Sequence, residues 1–117
     1  MAVPKRHRRR TINKEYFRRK LIRMREQTLK NLEELREELR GLQETPNELE
    51  EWAQEEKDRD ILIRLERREK AELGKIENAL SRLEASSFGI CGKCGKPIPK
   101  ARLEEVPTAF LCRTCMA

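Results

Sequence analysis

A chain of 117 residues with 37% hydrophobic, 4% aromatic and 41% charged residues cannot build a large globular core. It is either disordered or elongated, one domain with extensions held along a narrow apolar seam. No stretch approaches the roughly 18 consecutive apolar residues of a membrane span. No apolar run follows Met1-Ala2-Val3-Pro4-Lys5-Arg6, so a signal peptide is not expected and the chain reads as soluble and cytoplasmic.

The net charge of +6 conceals a segregation along the chain. Residues 1–30 hold twelve Lys/Arg against two Glu, residues 31–58 three against eleven acidic residues, and residues 59–117 twelve against eight. The middle is acidic and both ends are basic. An antiparallel fold would bring the basic ends together and leave an acidic tip.

Residues 1–13 carry Lys5-Arg6-His7-Arg8-Arg9-Arg10. This is a basic flexible tail by composition, solvated or in electrostatic contact with an acidic partner or nucleic acid. From Asn13 to Leu42 apolar residues recur at Phe17, Leu21, Met24, Leu32, Leu35, Leu39 and Leu42. Steps of three and four predict a helix with a coiled-coil-like stripe, capped at its start by Asn13. About thirty residues at 1.5 Å each make an arm about 45 Å long. Thr45-Pro46-Asn47-Glu48 then reads as a capping box with proline at the first helical position. A second stripe, Leu62, Leu65, Leu73, Ile76, Leu80 and Leu83, runs to Ser86-Ser87.

Two antiparallel arms of one hairpin should pair residues whose numbers share one sum. Leu35 with Leu62, Leu32 with Leu65, Met24 with Leu73, Leu21 with Ile76 and Phe17 with Leu80 do so. Thr28 would then face Glu69, and the turn would centre between Glu48 and Leu49. The expected fold is mainly α: a long antiparallel coiled-coil hairpin over 14–86, its acidic tip near 45–53, ahead of a small C-terminal unit over 87–117. The competing reading is two helices that pair between molecules; the intramolecular hairpin implies a monomer. Trp52, the single tryptophan, either packs the tip against Leu42 or Leu49 or serves as an interface anchor beside the carboxylates.

All four cysteines fall in Cys91-Gly92-Lys93-Cys94 and Cys112-Arg113-Thr114-Cys115, seventeen residues apart. Paired Cys-x-x-Cys motifs at this spacing are a zinc pattern. Four thiolates close a tetrahedral shell with no open position, which points to one structural rather than catalytic Zn2+. Gly92 and Gly95 suit tight turns around a metal. Two disulfides would need an oxidising compartment.

With Phe88-Gly89 just ahead, Cys91-x2-Cys94-x3-Ile98-x3-Arg102-x4-Pro107-x4-Cys112-x2-Cys115 resembles the zinc finger of the DksA/TraR family of bacterial transcription factors. The likeness covers residues 60–115 closely and the first arm in pattern. It implies a coiled-coil hairpin beside a zinc-containing globular part. It also implies a regulator that binds RNA polymerase through its secondary channel and brings the acidic tip towards the active centre to modulate initiation. Sequence-specific DNA binding is not implied. The family's Asp-x-x-Asp-x-Ala tip motif falls on Glu48-x-x-Glu51-x-Ala53, with Trp52 inside it; the charge is kept and the reach is one methylene longer. A basic residue that contacts the channel rim falls on Arg68. Gly92 stands where an acidic residue or serine is common, and the chain ends two residues after Cys115, short of the helix that follows the finger. Of the basic positions used with guanosine tetraphosphate only Lys75 matches, Val106 and Met116 standing at the others, so a response to that nucleotide is not expected.

Two other functions fit the residues less fully: a nucleic-acid-binding zinc ribbon using Lys93, Lys96, Lys100 and Arg113, and a structural coiled-coil adaptor. An enzyme is not expected, because there is no open metal position, no nucleophile–base pair and no glycine-rich phosphate loop.

Overall fold

A computed structural model describes residues 12–42 and 49–116. They form α1 (Lys14–Gly41), α2 (Leu49–Glu84), α3 (Lys100–Glu105) and α4 (Arg113–Met116), with one isolated antiparallel bridge between Ile90 and Pro97. The fold is the expected long antiparallel helical hairpin with a small cysteine-bearing end. Its described residues divide into two compact units, one of residues up to 24 and from 75 onward, the other of residues 25–74.

In the first unit, α1 starts where Asn13 Oδ1 accepts the Tyr16 N–H at 3.0 Å, satisfying a backbone donor that the helix itself cannot. Leu21, Ile76, Ile98 and Leu103 are wholly buried. They belong to one cluster with Phe17, Ala79, Leu83, Phe88, Cys91 and Ala109. Both arm roots and the cysteine-bearing segment therefore share a single core. Phe17 and Phe88 meet at 5.1 Å between ring centroids. Glu104 on α3 accepts the Tyr16 hydroxyl at 2.7 Å, and Lys20 Nζ reaches both its carboxylate and its main-chain carbonyl. Tyr16 and Lys20 hold the Glu104 carboxyl below its ordinary value. Arg18 closes the same end on Glu84 at 2.7 Å.

In the second unit, Leu32, Leu62 and Thr28 are the buried seam residues, while Leu65 is 38% exposed. Asn31 Nδ2 donates to Glu69 at 2.7 Å and Arg36 Nε to Glu66 at 3.0 Å. Leu42 lines one groove with Asp58 and Ile61. These pairings run antiparallel, but the register lies about one helical turn from the equal-sum pairing. Asn31, not Thr28, meets Glu69. The physical reason is that stripes with steps of three and four repeat every turn, so sliding the arms by a turn still lays apolar on apolar. The equal-sum argument could not choose between these solutions.

α1 ends at Gly41 and α2 begins at Leu49, and Leu42 lines its groove with Asp58, Ile61 and Leu62. Leu49 is 83% and Trp52 47% exposed at the start of α2. The capping box at Thr45–Glu48 lies outside the described residues.

α2 ends in a Schellman arrangement: Ser87 N–H bonds to Arg82 O at 2.9 Å and Ser86 N–H to Leu83 O at 3.2 Å. Ser86 holds the left-handed position with φ 60°, where a Cβ is strained. Replacing Ser86 by Gly is expected to stabilise the protein by about 0.5–1 kcal/mol, the relieved strain exceeding the added chain entropy. A raised thermal midpoint would register it; an unchanged or lowered one would show that Ser86 carries no strain.

Candidate metal centre

The four cysteines come together. Their Sγ atoms all lie within 4.8 Å of one another, and Cys94 Sγ and Cys112 Sγ stand 3.7 Å apart. That is no disulfide, whose sulfurs lie about 2.05 Å apart. It does match the edge of a tetrahedral Zn–S4 shell, about 3.8 Å for Zn–S bonds of about 2.3 Å. The sulfurs present thus fit one Zn2+ held by Cys91, Cys94, Cys112 and Cys115.

Local backbone builds each half of the shell. Lys93 N–H and Cys94 N–H point at Cys91 Sγ at 3.4 and 3.5 Å. The turn closes through Gly95 N–H to Cys91 O at 3.0 Å and Cys91 N–H to Lys96 O at 2.8 Å. Gly95 takes φ 75° there, and Gly89 takes φ 82° where Ile98 N–H returns to its carbonyl. Gly92 plays a different part from the one expected: its φ is ordinary, and its missing side chain leaves room for Phe110, which a Cβ would approach to 3.4 Å. Gly92 N–H bonds to Phe110 O at 2.7 Å, tying the first cysteine pair to the strand of chain entering the second.

The electrostatics favour a cation. The Cys94 backbone N–H, ahead of contributions from Cys112 and Lys93, lowers the Cys91 thiol to about 5. The Cys115 N–H lowers Cys112 in the same way. Cys115 itself is pushed up to about 12, first by Cys112 and then by burial and the other sulfurs. Negative sulfurs so close repel each other, and a bound dication removes that repulsion and favours four thiolates.

The expected tip residues lie on the second unit. Glu51, Trp52 and Ala53 are exposed on the first turns of α2, and Glu48 lies outside the described residues. Trp52 is half-exposed there. Arg68 is exposed at the rim of a groove of about 430 Å3 lined also by Asn31, Leu35 and Leu65. At the other end, Val106 and Met116 are exposed apolar residues, and Met116 Sδ accepts from Arg102 at 2.9 Å. Two features lay beyond sequence reasoning. One is the Tyr16–Glu104 clamp, whose partners are 88 residues apart. The other is Arg82, whose guanidinium lies 5.5 Å from the Phe110 ring centroid.

Comparison with known proteins agrees with this geometry. Residues 86–116 match the family model described as the prokaryotic dksA/traR C4-type zinc finger. The RNA polymerase-binding transcription factor DksA of Caulobacter vibrioides is 38% identical over 97 residues, 83% of this chain and 68% of that protein. Its counterpart in Escherichia coli K12 is 40% identical over 70 residues, 60% of this chain and 46% of the relative. Among solved structures, transcription factor DksA2 from Pseudomonas aeruginosa superposes with a TM-score of 0.81 at 37% identity, covering 88% of this chain and 79% of that one. The RNA polymerase binding protein and transcriptional regulator Dks of Chlamydia trachomatis, at TM-score 0.57 and 20% identity, shares the fold.

Zinc removal tests the centre directly. Chelation, or Cys94→Ser, is expected to melt residues 88–117 while much of the helicity of the arms survives, because residues 25–74 form a compact unit of their own. Circular dichroism showing complete unfolding would contradict that division. Protons compete with the metal for sulfur, so zinc should be released as pH falls, which a colorimetric zinc indicator would follow. The likeness to the Caulobacter protein extends well beyond the cysteines, and on that extent the chain belongs to the DksA/TraR family of C4 zinc-finger proteins.

Proposed function

We propose that this chain is a transcription regulator that binds RNA polymerase through the secondary channel, its acidic tip reaching towards the active centre and modulating initiation. The observation that carries this reading is the start of α2 at Leu49, with Glu51, Trp52 and Ala53 exposed on its first turns. A helix is about 10–12 Å across with its side chains. The residues from 49 to 60 carry six carboxylates against Lys57 and Arg59. Such a probe suits a narrow cationic passage, where complementary potentials steer entry and disfavour wrong orientations. The names of the Caulobacter and Escherichia relatives point to the same partner.

The second unit carries both the flank and the tip. Arg68 on the flank contacts the channel rim and contributes affinity, whereas Glu48, Glu51, Trp52 and Ala53 act at the tip. The metal centre has no open coordination position, so the protein works by binding rather than by catalysis. It acts as a cytoplasmic monomer without reading DNA sequence. Its zinc holds the root in one shape.

The test separates binding from effect. Glu48→Ala with Glu51→Ala should leave most of the affinity for purified RNA polymerase and abolish the change in transcription output. Arg68→Ala should instead weaken binding several-fold. Unchanged regulation by the tip pair, with binding intact, would remove the tip from the mechanism.

A further inference from the structure

The finger carries a surface that the tip and the arms do not use. Phe110 is 47% exposed although it sits directly beside the metal centre. Its carbonyl accepts from Gly92, and a Cβ added at that glycine would stand 3.4 Å from its ring. The Arg82 guanidinium lies 5.5 Å from the ring centroid, and neither of its terminal nitrogens has a hydrogen-bond partner. Burial lowers the Arg82 pKa, yet a guanidinium stays protonated. The ring is thus supported by a fixed cation on one side and open to solvent on the other.

Exposed cations lie in the two cysteine turns beside it. Lys93 follows Gly92, Lys96 closes the same turn, and Arg113 sits between Cys112 and Cys115. Lys93 and Arg113 lie within the two Cys-x-x-Cys turns of one sulfur cluster, and Phe110 enters the second of them. No acidic residue occurs in 88–103 or 106–116. Part of this charge has a plain role, since four thiolates on Zn2+ leave two negative charges to offset. Lys93, Lys96, Arg113 and Arg82 supply four, so the face stays positive.

We infer that this face of the finger binds single-stranded nucleic acid without sequence preference, Phe110 stacking on a base while Lys93, Lys96 and Arg113 hold the flanking phosphates. An acidic protein surface would satisfy the lysines but gives no reason for a solvated ring among them. A base does, because every base offers a π-face to stack. A duplex, whose bases are already stacked, would meet only the charges. The inference is independent of how the tip acts, and its test needs no polymerase.

The experiment is fluorescence anisotropy of a labelled oligothymidine with the full zinc-loaded chain, across a series of salt concentrations. Phe110→Ala should weaken binding about 5-fold or more and leave the salt slope unchanged. Phe110→Leu keeps an apolar contact for Arg82 and should lose as much, while Phe110→Tyr should restore binding. Lys93→Ala with Arg113→Ala should lower the salt slope by about 1.4, two phosphate contacts at about 0.7 each on a single strand. Zinc content and helicity are measured for each variant; if Phe110→Ala loses metal, the Leu and Tyr pair decides. Equal affinity for duplex of the same length, or equal binding by the Leu and Tyr variants, would overturn the inference. So would Phe110-dependent capture of an acidic peptide in place of the oligonucleotide.

Discussion

The structure depends on one shared core, in which a metal-ligating cysteine is itself a packing residue. Cys91 is buried with Ile98 and Leu103 against Leu21 and Ile76 from the two arms. A chain only 37% hydrophobic has few such residues to spend, and they are gathered at this end. Apolar burial alone is marginal for a unit this small, so a metal that locks four side chains contributes to folding outright. The same contact orients the arms. Because Phe17 and Leu21 pack on the core that holds Cys91, the metal fixes the place from which both helices grow. Tyr16, Lys20 and Glu104 add a polar latch on the same end.

Away from that core the arms are held differently. The unit of residues 25–74 buries Leu32, Leu62 and Thr28 and otherwise relies on pairs such as Arg36–Glu66 and Asn31–Glu69. A partly exposed ion pair such as Arg36–Glu66 contributes little, and less as salt rises. The charge segregation follows the same division, with acidic residues concentrated where packing is thin. Carboxylates near the first turn of α2 are also favoured by the helix dipole, so their clustering needs no partner to be stable.

Much of this was legible in the residues. The cysteine spacing identified the ligand set, because metal geometry restricts spacing more tightly than packing does. Asn13 was readable as a cap because its side chain acts on its own backbone three residues on. What escaped the sequence is what depends on distance. Ala79 is fully buried, but a small residue adds little to an apolar stripe and was passed over. Ser86 holds a left-handed angle that glycine usually takes, so the end of α2 lacked its usual sign. Nothing in the local sequence could join Tyr16 to Glu104, or Arg82 to Phe110.

The register shows why this limit matters for function. Leucines spaced by threes and fours fix which faces of the helices meet but leave the axial position free by whole turns. In the register observed, Asn31 bonds to Glu69 and Arg36 to Glu66, and these polar pairs add to the choice. Sliding α2 back by one turn would bring Glu51 and Trp52 about 5.4 Å nearer the end of α1. The axial position of the arms is therefore coupled to contacts well down the hairpin as well as to the leucines between them.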